Sequence, residues 1–277
     1  MATATDTYVS LFSSSEEAPV ALLTLFFLGI MRMAPIVSMS PFLGSKLPGG
    51  VKMGLTLALT LIFLPHISQT ATAPLTFSVA FIGLALKEIL VGFILAILAG
   101  MPFYIAQSSG VLIDFMRGSS SLQVTDPFMQ SQTSPIGILL NYVLVIIFFQ
   151  MSGPFIFFDA IIQSYNMIPV DHFLHSYFFT LAQPFWKMLT GLLTRFLALS
   201  VQLAAPSIVA ILMAEMFLGI ANRLAPQVQI VFLGMSLKSL LGLGLLWAGW
   251  FFILQQMGNQ SIIWMRDIEK ILQSMKM

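Results

Sequence analysis

The chain contains no cysteine and very few charged residues. Without cysteine it can have no disulfide framework, no thiolate nucleophile and no cysteine-ligated metal. Only 8% of its 277 residues are charged and 58% are hydrophobic, whereas a soluble domain carries about 25% charged residues. Because water could not solvate such a surface, the sequence predicts an integral membrane protein in contact with lipid.

A strong net charge and the common enzyme motifs are also missing. The formal net charge is +1, which predicts no nucleic-acid partner. There is no nucleotide-binding loop, dinucleotide fingerprint, serine-hydrolase elbow or HExxH motif, so no catalytic residue and no cofactor is expected. His172 and His175 lie beside Asp171, but no further ligand is near them in sequence, so a solvated loop is predicted there rather than a metal site.

Long apolar runs make up most of the chain. They cover residues 18–39, 53–64, 75–101, 136–151, 178–213 and 228–254. A spanning helix needs about 20 residues, and four of these runs could reach that length. The second run is predicted to end at Pro65. The fifth contains Pro184 and Pro206 and is predicted to be broken or bent.

A charged pair is predicted in the stretch "AEMFLGIANRLAPQVQIVFLGMSLKSLLGLGLL", residues 214–246. Pro226 marks a turn between two helices, and Glu215 and Lys238 lie at nearly equal distances on either side of it. In an antiparallel hairpin over about 203–254 the two side chains would meet as a buried pair, with Arg223 near the turn. The pair could fix helix register, line a conduction path or contact a partner subunit.

Two adjacent charges, Lys87 and Glu88, lie in another apolar run. Neighbours on a helix point about 100° apart, so we expect the two not to face each other and each to need another partner. A stripe of small residues follows at Gly92, Ala96 and Gly100, which predicts close packing against another helix.

The segment 108–137 is polar and rich in glycine and serine, although it lies between two membrane runs. Asp114 and Arg117 are spaced i, i+3 and could pair locally. Irregular backbone at membrane depth survives only inside protein or beside water. The residues alone leave two alternatives, a re-entrant loop that lines or plugs a pore and an ordinary cytoplasmic loop.

Several stretches line up in order with one family. They are "MRMAPIVSMSPFLGSKLPGGVKMGLTLALT", "LKEILVGFILAILAGMPFYIAQSSGVLIDFMRGSSS", "DPFMQSQTSPIGIL" and "AEMFLGIANRLAPQVQIVFLGMSLKSLLGL". The sequence therefore resembles the SctT/FliR family, the export-apparatus membrane proteins of type III secretion systems. The stretches "LIDFMRGSSS" and "NRLAPQ" look more like the virulence injectisome branch (SctT, also called YscT or SpaR) than the flagellar one.

The resemblance implies an architecture and partners. SctT-like proteins join SctR and SctS in a helical, pseudo-hexameric export gate, with which SctU associates. The gate conducts unfolded secreted proteins across the bacterial inner membrane, within the basal body of the secretion system. By this resemblance the chain is one all-α, multi-pass domain over 1–277, with broken helices and an SctS-like C-terminal hairpin.

The resemblance also assigns residues of about 110–125 to a plug loop. Its role would be steric and electrostatic closure of the pore rather than chemistry. The loop residues are Asp114, Met116, Arg117, Gly118, Ser119, Ser120 and Ser121. The alternative function is an ion-coupled secondary transporter of a small solute, which would use Lys87, Glu88 and Glu215 to couple ions to transport.

Overall fold

The described structure consists of α-helices. The computed structural model describes residues 18–43, 45–71, 79–118, 134–173, 184–224 and 230–276. The helices in these ranges are α1 (Ala18–Met39), α2 (Gly49–Thr70), α3 (Val79–Met116), α4 (Pro135–Gln150), α5 (Gly153–Met167), α6 (Pro184–Leu224), α7 (Ile230–Ala248) and α8 (Trp250–Lys276). No strand occurs in them, which confirms the all-α prediction.

Four of these helices are long and apolar enough to cross a membrane, namely α1, α2, α3 and α6. Two further helix pairs, α4 with α5 and α7 with α8, are each interrupted by a short break. If each pair is counted as one broken span, the described part of the chain has up to six spans. The predictions of a membrane protein and of broken helices are therefore confirmed.

Helix α2 continues past the proline that was predicted to end it. Pro65 lies inside the helix, which extends to Thr70. The proline removes only one backbone donor, while the bonds on either side remain. Beyond it, the Ser68 hydroxyl donates to the Pro65 carbonyl at 2.8 Å, and Ile67 is completely buried. The Ser68 hydrogen bond and the burial of Ile67 stabilise the turn that follows the proline.

Helices α3 and α6 are also longer than predicted. Helix α3 includes Pro102 and ends only at Met116, so the first part of the polar segment 108–137 is helical. Gly118, which follows, has φ +83°, a left-handed conformation that glycine adopts without strain and that commonly ends helices. Helix α6 is unbroken. Pro184 is its first residue, where a missing N–H costs little, and Pro206 lies inside it.

Contacts divide the chain into two compact units, and each is built from separate stretches of sequence. Unit 1 comprises residues 1–100, 152–189 and 263–277, and unit 2 comprises residues 101–151 and 190–262. Because each unit combines distant stretches, neither corresponds to one contiguous sequence domain. The single membrane domain over 1–277 stays a prediction.

Small residues bring helices together in unit 1. A Cβ atom added to Gly29 of α1 would lie 2.8 Å from Thr60 Cγ2 of α2, and one added to Gly92 of α3 would collide with the backbone of Arg32. Ala96 is completely buried on the same stripe as Gly92. The stripe that begins at Gly92 therefore packs closely against another helix, as its spacing predicts.

In unit 2, helices α6 and α7 form an antiparallel pair. The Ser207 hydroxyl of α6 donates to the Gly242 carbonyl of α7 at 3.2 Å. Further along α6, Leu218 contacts Gly234, which lies earlier in α7. Contacts that ascend along one helix while they descend along the other define an antiparallel hairpin. Its connecting residues, including the predicted turn at Pro226, lie outside the described ranges.

Candidate functional site

The last turn of α3 carries a buried carboxylate that holds the beginning of α4. Asp114 is 2% exposed. Its Oδ2 atom accepts hydrogen bonds from Ser134 Oγ at 2.5 Å and from the Ile136 N–H at 3.0 Å. Its Oδ1 atom pairs with Arg117. These four residues, here called the neck, join the chain just before residues 119–133 to the chain just after them.

The start of α4 is shaped by its own sequence. Ser134 has an extended backbone conformation, and its Oγ atom accepts a hydrogen bond from the Gly137 N–H at 2.9 Å. Pro135 follows at the first helical position, where its missing N–H costs no helix bond. The hydroxyl that caps α4 is thus the one that donates to Asp114, so a single side chain starts the helix and closes the neck.

Two glycines allow the backbones of α3 and α4 to approach closely enough for this contact. A Cβ atom added to Gly110 would lie 2.6 Å from the carbonyl carbon of Ile136. A Cβ atom added to Gly137 would lie 2.8 Å from the carbonyl oxygen of Gln107. Because real Cβ atoms essentially never come within 3.0 Å of such atoms, larger residues would push the helices apart and move Asp114 away from its partners.

Arg117 connects the neck to the hairpin of α6 and α7. Its side chain is 14% exposed. A Cβ atom added to Gly242 of α7 would lie 3.2 Å from Arg117 Cδ and 3.1 Å from Ile211 Cδ1. The aliphatic part of Arg117 therefore lies against the bare backbone of α7 while its guanidinium pairs with Asp114. A displacement of α7 at this point would act on the neck through one side chain.

The structure changes the expected position of the predicted plug residues. Asp114 and Met116 belong to the last turn of α3 rather than to a loop, while Arg117 and Gly118 form the turn that ends the helix. The local pairing of Asp114 with Arg117 is observed. Ser119, Ser120 and Ser121 lie outside the described residues. The role of this segment in closure stays a prediction.

A second polar cluster lies in the core of unit 1. Arg32 and Glu88 are completely buried and form a two-pronged pair, with Nε to Oε2 at 2.5 Å and Nη2 to Oε1 at 2.9 Å. Arg32 also donates to Ser164 Oγ at 3.1 Å and to the Ile168 carbonyl at 2.8 Å. Its guanidinium stacks over the Tyr165 ring at 4.1 Å. The pair thereby connects α1, α3 and α5.

Lys87 extends this cluster to the residues after α5. Its Nζ atom donates to the carbonyls of Pro169, Val170 and His172 at 2.7, 3.2 and 3.0 Å. The same atom lies 2.6 Å from Glu88 Oε1. The expectation that these neighbours do not face each other was therefore wrong. Their side chains are long enough to bend together, although each also has the separate partners that we expected.

Sequence reasoning missed Arg32, the central cation of this cluster. The residue lies in the middle of the first apolar run, where an unpaired charge would be costly. Its isolation in an apolar run was a signal that it needs a buried partner of opposite charge, such as Glu88. The bidentate geometry that arginine offers to a carboxylate suits a buried pair better than the single ammonium of lysine.

The predicted pair of Glu215 and Lys238 forms in the hairpin, but it is not buried as we expected. Lys238 and Glu215 make an ion pair across α6 and α7. Their side chains remain 23% and 42% exposed, respectively, so the chain by itself does not bury them. Arg223 lies in the last turn of α6, where a cation is favoured by the helix dipole, and it is exposed.

The histidine segment shows no metal-binding arrangement in the described part of the chain. His172 Nε2 lies 3.7 Å from Asp171 Oδ2, and His175 lies outside the described residues. Among the described residues, no group of three or more histidine and acidic side chains could hold a metal ion. The main chemical features of the structure are therefore the neck, the buried charge cluster and the hairpin.

Comparisons with known proteins agree with the motifs. The family described as bacterial export proteins, family 1, matches residues 23–261. The Yop proteins translocation protein T of Yersinia pestis is 31% identical, and the match covers 72% of this chain and 75% of that protein. The secretion system apparatus protein SsaT of Salmonella typhimurium is 28% identical, over 77% of this chain and 80% of that protein.

The chain is also similar to a flagellar protein. The flagellar biosynthetic protein FliR of Escherichia coli is 25% identical, over 84% of this chain and 86% of its own length. The relatives thus include both type III secretion and flagellar export proteins, and the resemblance to the SctT/FliR family is confirmed. With a family match over most of its length and spans suited to a membrane, the chain belongs to the bacterial export proteins of family 1.

Proposed function

We propose that this chain is a core subunit of a type III secretion export apparatus. With SctR and SctS homologues it would form the entrance gate through which unfolded secreted proteins cross the bacterial inner membrane, and an SctU homologue would associate with it. Family membership and the membrane-spanning helices support the proposal. The structural observation that carries it is the neck.

The neck suits a gate because it fixes both ends of a polar segment. Asp114 holds the residues that precede 119–133 against those that follow them. A segment anchored in this way can block a path or move aside while its ends stay in place. Since Asp114 is buried and charged, each bond that it makes is stronger than one between neutral groups. We infer that the neck limits how far residues 118 and 134 can separate, as a closing role for the segment between them requires.

The hairpin of α6 and α7 has the surface that a partner subunit would need. Large apolar side chains on it are exposed. They include Met213, Met216, Phe217, Ile220, Leu240 and Trp247. Lipid could cover these side chains, but it could not satisfy the partly exposed charges of Glu215 and Lys238 beside them. A neighbouring SctS-type hairpin would cover both the apolar surface and the charged pair.

The transporter alternative needs ionisable groups that are free to exchange ions. In the structure, Glu88 is bound by Arg32 and Lys87, and Lys87 is also bound by three carbonyls. Glu215 is paired with Lys238. Each of the three proposed coupling residues is thus engaged in contacts that connect helices, which favours a structural role.

Native mass spectrometry tests the proposal directly. The tagged chain would be co-expressed with the SctR, SctS and SctU homologues of the same bacterium and purified in mild detergent. We expect a single copy of this chain within a larger hetero-oligomer. A stable monomer or homodimer, formed equally well without those companions, would refute the gate and return Lys87, Glu88 and Glu215 to the transporter hypothesis.

A further inference from the structure

Unit 2 contains a cavity lined by carboxamide side chains, at a place where α3, α4, α6 and α8 converge. Its volume is about 470 Å³, within the range of about 300–1,000 Å³ that is typical of ligand pockets. The carboxamides that line it are Gln202, Gln255, Gln256, Asn259 and Gln260. Residues on α6 and α8, two helices that are far apart in sequence, thus supply the same chemical group to one space.

These carboxamides have almost no hydrogen-bond partners among the residues that the structure describes. Gln260 accepts a hydrogen bond from Arg195 at 3.1 Å. Gln202, Gln255, Gln256 and Asn259 make no hydrogen bond to another described residue. They lie on α6 and α8, both of which contribute to candidate membrane spans. An amide left without a partner is costly wherever water is excluded, so a polar occupant of the cavity would stabilise these side chains.

A backbone group adds to this hydrogen-bonding capacity. Pro206 also lines the cavity and lies inside α6. Since proline has no N–H, it cannot donate to the carbonyl of Gln202, one turn earlier. The proline therefore leaves Gln202 with a backbone acceptor that the regular helix pattern does not use, beside its side-chain carboxamide.

The chemistry of the lining indicates the class of occupant. None of the described residues that line the cavity carries a charge, so no side chain there would neutralise an ionic occupant. Each carboxamide offers both a donor and an acceptor, as does a peptide group. Leu199, Leu203, Phe252 and Ile253 provide apolar contacts in the same space. A helix has already paired its backbone groups, whereas an extended chain has not.

We propose that this cavity binds a short, uncharged stretch of extended polypeptide, supplied by a secreted protein during its passage. The carboxamides bond to the backbone of the passing chain without regard to its sequence, and the apolar side chains contact its side groups. This inference rests on the proposed function, because only an export subunit encounters unfolded chains in transit.

Two neighbouring phenylalanines provide a matched test. Phe252 lines the cavity and is 73% exposed, while Phe251 is 71% exposed and does not line it. The photoreactive analogue p-benzoylphenylalanine would replace either residue in the assembled apparatus. A secreted protein fused to a stably folded domain would be arrested in transit and then irradiated. We expect the analogue in place of Phe252 to link to the arrested chain much more strongly than the analogue in place of Phe251.

Other outcomes would overturn the inference. Equal links from both positions, or links from position 252 only to lipid or to another membrane subunit, would show that the cavity does not hold the passing chain. If native mass spectrometry shows this chain in the hetero-oligomer and secretion proceeds, a missing link refutes this inference alone. If the chain is found outside the hetero-oligomer, the proposed function fails.

Substitutions at the carboxamides give a second measurement that requires no photochemistry. Gln256→Leu and Asn259→Leu should each lower the rate of secretion by about fivefold, since each removes a hydrogen-bonding group of similar size. Gln256→Asn and Asn259→Gln keep the carboxamide and should retain most of the rate. Each variant would be compared at equal amounts of assembled apparatus. An unchanged rate in the leucine variants, or an equal loss in the conservative ones, would contradict the inference.

Discussion

Replacing Asp114 with asparagine should loosen the neck and let ions leak through a closed gate. Asparagine keeps the size of the side chain but removes the charge and one of the two acceptor oxygens. The carboxylate accepts hydrogen bonds from Ser134 and Ile136 and also pairs with Arg117. The substitution would therefore remove at least one bond that involves a charged group. Such a bond contributes about 1.5–3 kcal/mol, which corresponds to a shift of about 10- to 150-fold in the ratio of closed to open gates.

The leak would be measured as the conductance of purified, assembled complexes in a lipid bilayer without secreted protein. Asp267→Asn provides the control, because Asp267 also pairs with a cation three residues later, Lys270, at 2.9 Å. That lysine is 69% exposed, so the control pair contributes about 1 kcal/mol at most. If Asp114→Asn complexes of normal composition leak no more than the Asp267→Asn control, the reasoning about the neck is refuted.

Three further predictions concern the contacts around the neck, the charge cluster and the hairpin. Gly242→Val should displace Arg117 and raise the ion leak. In an Arg117→Ala background the same substitution should raise the leak much less. Additive effects of the two substitutions would contradict the contact between Gly242 and Arg117. Arg32→Met should lower the free energy of unfolding by about 3–5 kcal/mol, because it leaves the buried carboxylate of Glu88 without its main partner. An unchanged Tm in detergent would contradict this prediction. Reversing the charge of either Glu215 or Lys238 should cost about 0.5–1 kcal/mol and lower the yield of assembled complex, and reversing both should restore it. Failure of the double reversal to restore the yield would exclude the pairing.

Properties that follow from composition and helix geometry could be predicted from the sequence. The low fraction of charged residues determined that the chain is a membrane protein. The hairpin register followed from counting, because Glu215 and Lys238 lie 11 and 12 residues from Pro226 (226 − 215 and 238 − 226) and every helical residue advances by about 1.5 Å. The structure does pair these two residues. The stripe that begins at Gly92 was similarly recognisable, because small residues spaced four apart share one helix face.

Helix boundaries were predicted less well, because proline and polar residues were given too much weight. Pro65 and Pro206 both lie inside continuous helices. The polar residues that lead to Asp114 belong to α3, where hydroxyl groups bond within the helix, as Ser109 Oγ does to the Ala106 carbonyl at 2.7 Å. Proline inside a membrane helix is tolerated because neighbouring helices and serine or threonine hydroxyls satisfy the freed backbone groups.

The tertiary structure alone decided the contacts between distant residues in the charge cluster and in the neck. Arg32 and Glu88 are 56 residues apart in sequence, and Asp114 and Ser134 are 20 apart. No periodicity within one helix can select such a partner. The choice depends on where two backbones approach, and Gly110 sets that approach for the neck by leaving no Cβ in the way. The sequence determined the helices and their membrane environment. Packing between helices determined the charge cluster and the neck, because a buried charge is stable only where a neighbouring segment places a partner beside it.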